Sequence, residues 1–418
     1  MAKWPSLIAI FFGAAFAVAP AALARTWTVG RTNCDTASVA AALKLAQPGD
    51  RILIKPGTYK EGQLVVDKRL EIRGEDLPCL DGGEAHSVLV VRSTGVVVSG
   101  LRIQNTGASD VEDRAGIKLI DAHHCTVTGN VLGNNLFGIY LAHCRDCSVL
   151  GNRVQGAAIS QGTSGNGIHL WHCSHIRIAG NQVSGQRDGI YLEFVDHSLI
   201  EHNTSLHNLR YGLHFMFSNS DSYRANSFAN NGAGVAVMYS HHVSMLSNTF
   251  QHNWGPASYG LLLKEITDGV IAKNCFARNT IGIQCDGTSR LQVSRNDFLE
   301  NGRAFRISSY CSGTLLTANN FIGNTFDLSS RAALNDVRLD KNYWSNCPGY
   351  DLDRNGISDV PYQPASLSCL IVDQYPAAAI LLRSTLFDLL DLAERALPAF
   401  TPETLTDPHP LMGRVIWN

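Results

Sequence analysis

Apolar and polar residues alternate along most of this chain in short runs, and a glycine opens each run. The unit is Gly, aliphatic, any residue, aliphatic. It stands at Gly116-Ile117-Lys118-Leu119, Gly138-Ile139-Tyr140-Leu141, Gly167-Ile168-His169-Leu170 and Gly189-Ile190-Tyr191-Leu192. It returns at Gly212-Leu213-His214-Phe215, Gly234-Val235-Ala236-Val237, Gly260-Leu261-Leu262-Leu263 and Gly282-Ile283-Gln284-Cys285. Successive glycine numbers differ by 22, 29, 22, 23, 22, 26 and 22. An asparagine keeps the same beat at Asn130, Asn152, Asn181, Asn203, Asn226, Asn248, Asn274 and Asn296, often with Val or Phe two positions on. Units this short cannot bury a core alone but make a continuous one when stacked. The pattern therefore predicts an all-β chain, a parallel β-helix whose coils are mostly 22 residues long. One asparagine per coil predicts an amide ladder. The glycines predict a backbone bend that a β-carbon would hinder. The 29-residue step predicts an inserted loop at Gln161 to Gly165, and a smaller bulge is expected at Trp254 to Ser258.

The ends depart from this rhythm. Thr36 to Gln47 reads as a short helix covering the open end of the first coil. The repeat stops after Asn342-Tyr343-Trp344. Ile380 to Ala396 has helical spacing, with Leu382, Leu386, Leu389, Leu390 and Ala393 on one side. The proline-rich residues beyond it read as an extended tail. At the other end Lys3, the apolar run Leu7 to Val18 and Ala22-Leu23-Ala24 form a secretory leader with a cleavage site. The run is short for a membrane span. The expected organisation is a signal peptide over 1–24, a β-helix over 25–345, a capping loop over 346–376, and a helix and tail over 377–418. The expected destination is the periplasm.

Because strand side chains alternate, the second and fourth residues of each unit point into the coil and the third and fifth point out. The outward columns read Lys118, Tyr140, His169, Tyr191, His214, Ala236, Leu262, Gln284, and Ile120, Ala142, Trp171, Glu193, Met216, Met238, Lys264, Asp286. Coils lie roughly 4.8 Å apart, so Met216 and Met238 stack on the outside, with His214 about 7 Å along the strand from Met216. Met245, three before a ladder asparagine, is core filler. Two thioethers and an imidazole suit Cu(I). The competing reading makes the same patch, with His169, Trp171, Tyr191, Glu193 and Phe217, a protein-contact surface without a metal.

Net charge is -2 and 17% of residues are charged, a balance that gives nucleic-acid binding no support. Eleven cysteines in an exported chain permit disulfides, and the odd count leaves one over. Cys125 and Cys147 share the inward slot five before the ladder asparagine, and Cys144 and Cys173 both lie six after a repeat glycine. Small buried side chains or a disulfide account for them better than a metal. Asp351, Asp353, Asn355, Gly356 and Asp359 follow the first part of a Ca²⁺-binding loop, but Tyr362 stands where a bidentate acid belongs. A calcium staple and a plain Asx-rich turn both fit. Glycoside hydrolysis needs two carboxylates flanking a cleft, and the coil face offers Glu193 nearly alone. The chain is therefore not expected to be an enzyme. Exposed aromatics keep a carbohydrate-binding or polysaccharide-modifying role as the alternative.

The segments DGIYLEF, YGLHFMFSNS, GVAVMYS, YGLLLKE, NYWSN, GYDLDRNGISDVPY and the DPHPLM tail resemble the NosD family, and the likeness runs over essentially the whole chain. These are periplasmic accessory proteins for maturation of nitrous oxide reductase. The resemblance implies a right-handed β-helix docked on an ABC permease with its ATPase, and so peripheral to the membrane. It also implies participation in copper-site assembly in nitrous oxide reductase, with a copper chaperone of the NosL type as donor. It names no ligands. The cysteine richness and the Ser-Asn-Cys that follows Tyr343-Trp344 depart from the family's usual pattern.

Overall fold

The computed structural model describes residues 24–308, 310–330, 336–382, 384–396 and 405–417. The expected leader thus falls almost wholly outside the described residues. The strands form three parallel sheets of 14, 12 and 13 strands, each complete coil giving one strand to each sheet. This is a parallel β-helix of about 14 turns. No helix among the described residues is long and apolar enough to cross a membrane.

The asparagine ladder has the predicted register and extends two rungs further, to Asn319 and Asn342. From Asn130 onward each backbone N–H donates to the Oδ1 of the next coil's asparagine at 2.8 to 3.0 Å. Each Nδ2 donates to the same oxygen, and these side chains are buried. A second ladder, five residues on, was not evident in the sequence. It runs through Asn208, Asn231, Asn253, Asn279, Asn301 and Asn324 at 2.9 to 3.2 Å. Both satisfy backbone groups at corners where the sheets cannot. Two after the first ladder, Phe228, Phe250, Phe276, Phe298, Phe321 and Trp344 stack through the core with centroids 4.1 to 5.5 Å apart. Met245 is fully buried there.

The repeat glycines have a different cause from the one expected. They lie in or next to strands rather than at bends. A β-carbon on Gly212 would stand 2.8 Å from the Gly234 carbonyl and 2.8 Å from the Asn231 amide. Only glycine lets the strand approach both the next coil and the ladder.

The N-terminal helix is shorter than predicted: α1 spans Val39–Leu45, capped by Ser38. Glu61 accepts from Ser38 Oγ and from the Val39 and Ala40 amides, which pins the helix over the first coil. The other end carries two α-helices. The first, α2, Leu367–Gln374, falls within the stretch expected to be a loop. The second, α3, Thr385–Ala396, begins five residues after the predicted start because Pro376–Leu381 forms a 3₁₀ turn. Cys369, Val372 and Phe387 pack on Phe326 of the last coils, and Arg303 pairs with Asp373 at 2.8 Å. The tail is not merely extended. Buried Asp407 accepts from Asn342 N and Nδ2 at 3.0 Å and from Trp344 Nε1 at 3.1 Å, closing the ladder's last rung.

Candidate functional site

Both outward columns have the predicted register: His169 pairs with Tyr191, Tyr191 with His214, His214 with Ala236, and Met216 with Met238. The exposure of the first column is where the structure corrects the sequence reading. Tyr140, His169, Tyr191 and His214 point out of the coil yet are buried. Their rings cover one another: Tyr140 on His169 at 4.7 Å, His169 on Tyr191 at 4.7 Å, and Tyr191 edge-on to His214 at 4.9 Å. Burial and the Arg187 guanidinium push the His169 imidazole down to about 3, so it is neutral.

His214 sits against an ion pair that sequence reasoning missed. Asp188 is fully buried one residue before a repeat glycine. Arg210 grips it with both nitrogens, Nε to Oδ1 at 2.8 Å and Nη2 to Oδ2. Although burial opposes ionisation, the Arg210 hydrogen bonds, with His214 close by, hold the Asp188 carboxyl at about 2. His214 Nδ1 faces Asp188 Oδ2 at 3.7 Å. Its other nitrogen, Nε2, is buried and has no partner. Nδ1 also lies 3.5 Å from Arg210 Nη2, so the ion pair flanks one edge of the imidazole and fixes its position. The signal was in the chain, as Arg210 and Asp188 both stand just before repeat glycines, but only the fold joins them.

Met216 and Met238 are half-buried beside this group, and Tyr191 Oη lies 3.5 Å from Met216 Sδ and 3.3 Å from Glu193 Oε2, either of which can accept its one proton. Trp171 lies two coils before Met216 in the same column. Beyond the methionines a ladder of rings follows the coil edge: His143, His172, Phe194, Phe217 and Tyr239, with centroids 4.6 to 5.4 Å apart. All five have φ between 49 and 54°. That left-handed backbone breaks the strand alternation at each of these positions. Of this ladder only Phe217 was anticipated.

The other candidate loop folds on itself. Asp351 Oδ1 and Oδ2 accept from the Asn355 and Gly356 amides, Asp353 Oδ1 from Asn355 N, Asn355 Oδ1 from Ile357 N, and Asp359 Oδ2 from Leu352 N. The Asp353–Asn355 and Asn355–Ile357 contacts are Asx-turn bonds. Among the described residues no three His, Cys, Asp or Glu side chains are arranged to hold a metal ion. The methionine patch, with one histidine and two sulfurs, is a different kind of donor set.

The family described as "Periplasmic copper-binding protein (NosD)" matches residues 50–160 and 151–355. A Pseudomonas aeruginosa protein named "Probable ABC transporter binding protein NosD" is 30% identical over 394 residues, 88% of this chain and 90% of its own length. A protein of the same name from Stutzerimonas stutzeri is 26% identical over 391 residues, 88% of each. Among solved structures, a family 28 exopolygalacturonase from Yersinia enterocolitica is similar with a TM-score of 0.56 at 10% identity, covering 75% of this chain and 78% of that one. A GH136 lacto-N-biosidase from Eubacterium ramulus gives 0.52 at 14%, covering 75% and 68%. At such identities these two share the fold alone. The family match over the coils and the relative aligned nearly end to end place this chain in the NosD family of periplasmic copper-binding proteins.

Proposed function

We propose that the chain is a periplasmic relay for Cu(I) and not an enzyme. In this reading it takes the ion from a copper chaperone and passes it toward the copper sites of nitrous oxide reductase. The observation that carries it is His214 Nε2, buried and unpartnered, with Nδ1 set against the Arg210–Asp188 pair, on the strand that bears Met216 and beside the coil that bears Met238. One imidazole and two thioethers suit soft Cu(I) as cargo. The half-buried sulfurs leave the site open on one side, so a donor protein can complete it and withdraw. The exposed ring ladder beside it, with Phe194, Phe217 and Tyr239 each near 40% exposed, gives that donor a surface to rest on.

Met216→Leu with Met238→Leu keeps size and apolarity but removes both sulfurs. The double variant should reach normal levels and bind its partners, while nitrous oxide reductase from that strain loses most of its copper as measured by mass spectrometry. Full copper content in the reductase would sink the ligand reading.

The relatives' name connects them with an ABC transporter, and α3 supports a docking role for this chain's end. Phe387 anchors the helix to the last coils, whereas Leu386, Leu389 and Leu392 are each about 60% exposed. We infer that this face meets an ABC permease coupled to its ATPase. Changing the three leucines to glutamine should leave the β-helix's circular dichroism unaltered but reduce co-purification of the permease at least tenfold. Unchanged co-purification would place the contact elsewhere.

The carbohydrate alternative has a specific argument against it. Sugars stack on flat ring faces. In the edge ladder each face is already covered by the next ring, at interplanar angles of 7 to 14°, and mainly ring edges remain.

A further inference from the structure

The coil interior holds a run of four thiols that the copper reading does not use. Cys125, Cys144, Cys147 and Cys173 are at most 3% exposed and are free in this structure. Cys125 neighbours Cys147, Cys147 neighbours Cys144, and Cys144 neighbours Cys173, closely enough for each thiol to perturb the next, and the Cys125 amide donates to Cys147 Sγ at 3.4 Å. The first and last contacts join equivalent positions on neighbouring coils. Thr126 pairs with Ser148 and His123 with Arg145, which brackets Cys125 and Cys147. Ala142 pairs with Trp171 and Arg145 with Ser174, which brackets Cys144 and Cys173.

In-register parallel neighbours lie roughly 4.8 Å apart, inside the Cα separation that disulfides span. Both members of each pair point inward from one corner. We propose that Cys125–Cys147 and Cys144–Cys173 are two inter-coil disulfides of the mature protein, made as it folds in an oxidising compartment. The pairing follows from the contacts: linking Cys144 to Cys147 instead would strand Cys125 and Cys173, which no thiol contact joins. Each bond forms by thiol–disulfide exchange. A cysteine thiolate attacks a disulfide-bearing protein oxidant and forms a mixed disulfide. The partner thiolate then displaces the oxidant, which leaves as a dithiol carrying both electrons and, with two protons, both hydrogens. Timing matters because burial shuts the chemistry off afterwards. One neighbouring thiol lowers each of Cys144 and Cys147, but the other thiol and desolvation outweigh it and push both up to about 12, so in the closed coil these two stay protonated and unreactive, while Cys173 alone is shifted down by its contact with Cys144.

The compartment is the one that the proposed function requires, but the pairing can be tested without it. The full chain is unfolded and reduced, refolded with reduced and oxidised glutathione, quenched with N-ethylmaleimide, and digested without reduction. Mass spectrometry should show linked peptides for Cys125–Cys147 and Cys144–Cys173, and adding reductant to the refolded protein should lower its Tm by about 5 °C. N-ethylmaleimide on all four cysteines, or a Cys144–Cys147 link, would overturn the proposal. The linkage map of protein taken from the periplasm then tests the compartment separately. Linked in the tube but alkylated in the cell, the chain folds away from an oxidant, and the periplasmic reading fails while the pairing stands. The serine variants Cys125→Ser with Cys147→Ser should lose one link and retain the other; loss of both would show that the pairs are not independent.

Discussion

Asn248→Ala is expected to destabilise the middle of the β-helix by about 3 to 5 kcal/mol, from loss of one buried side chain. Asn248 Oδ1 accepts from Asn226 N at 3.0 Å and Nδ2 at 2.9 Å, while its Nδ2 donates to Tyr223 O at 3.0 Å and to Asn274 Oδ1 at 3.1 Å. Alanine removes all four bonds. It leaves the Asn226 N–H and the Tyr223 carbonyl in a corner that water does not reach, and each orphaned buried group costs about 1 to 3 kcal/mol. Asn274 keeps bonds from its other side, so the damage should not spread far. In a solenoid each coil contacts only its neighbours, so the loss should be local. Hydrogen exchange read by mass spectrometry should show faster exchange in the coils around Asn226 to Asn274, with the first coils unchanged. A change below about 1 kcal/mol there would mean that the ladder follows from the fold rather than stabilising it.

Much of this architecture was legible because repetition exposes register. Two markers on one beat fixed which residues are neighbours across coils, and every pairing in the two outward columns agrees with the structure. What alternation gives is direction, not cover. His169, Tyr191 and His214 face outward as predicted, but rings and guanidinium groups from adjacent coils bury them, and no strand pattern reports that. Asp188 and Arg210 escaped notice for the same reason: they are 22 residues apart, and only coil stacking makes them an ion pair. The second amide ladder was hidden by its gaps, since Ala157 and Gln186 interrupt it before Asn208. At the C-terminal end no repeat exists to check against. The eight-residue helix α2 therefore reads as loop in the sequence, although Ser366 caps it by accepting from Cys369 N.

Asp188→Asn should separate stability from copper handling at the candidate site. Asp188 is fully buried against Arg210, and breaking a buried pair by neutralising one member costs about 3 to 5 kcal/mol, because the remaining charge stays in place. The native carboxyl is held at about 2, below its unfolded value. The pair's contribution is therefore complete above about pH 4 and fades as the pH falls toward 2. Neutral pH is thus the place to measure it, by urea unfolding of the variant beside the native chain. The second consequence concerns His214. With an amide in place of the carboxylate, the pair that flanks Nδ1 loses its negative member and Arg210 its anchor, so the imidazole loses the setting that positions it. Loss of such an orienting partner typically weakens metal binding about 10- to 100-fold. Competition with a chromophoric Cu(I) chelator should show that weakening in Asp188→Asn. The decisive comparison uses His214→Ala. If Asp188 acts on copper through the imidazole, adding Asp188→Asn to His214→Ala should lower stability again yet leave Cu(I) affinity where His214→Ala alone put it. A further drop in affinity of tenfold in the double variant would show that Asp188 supports the site by holding the coil together, and that the free Nε2 is not the ligand.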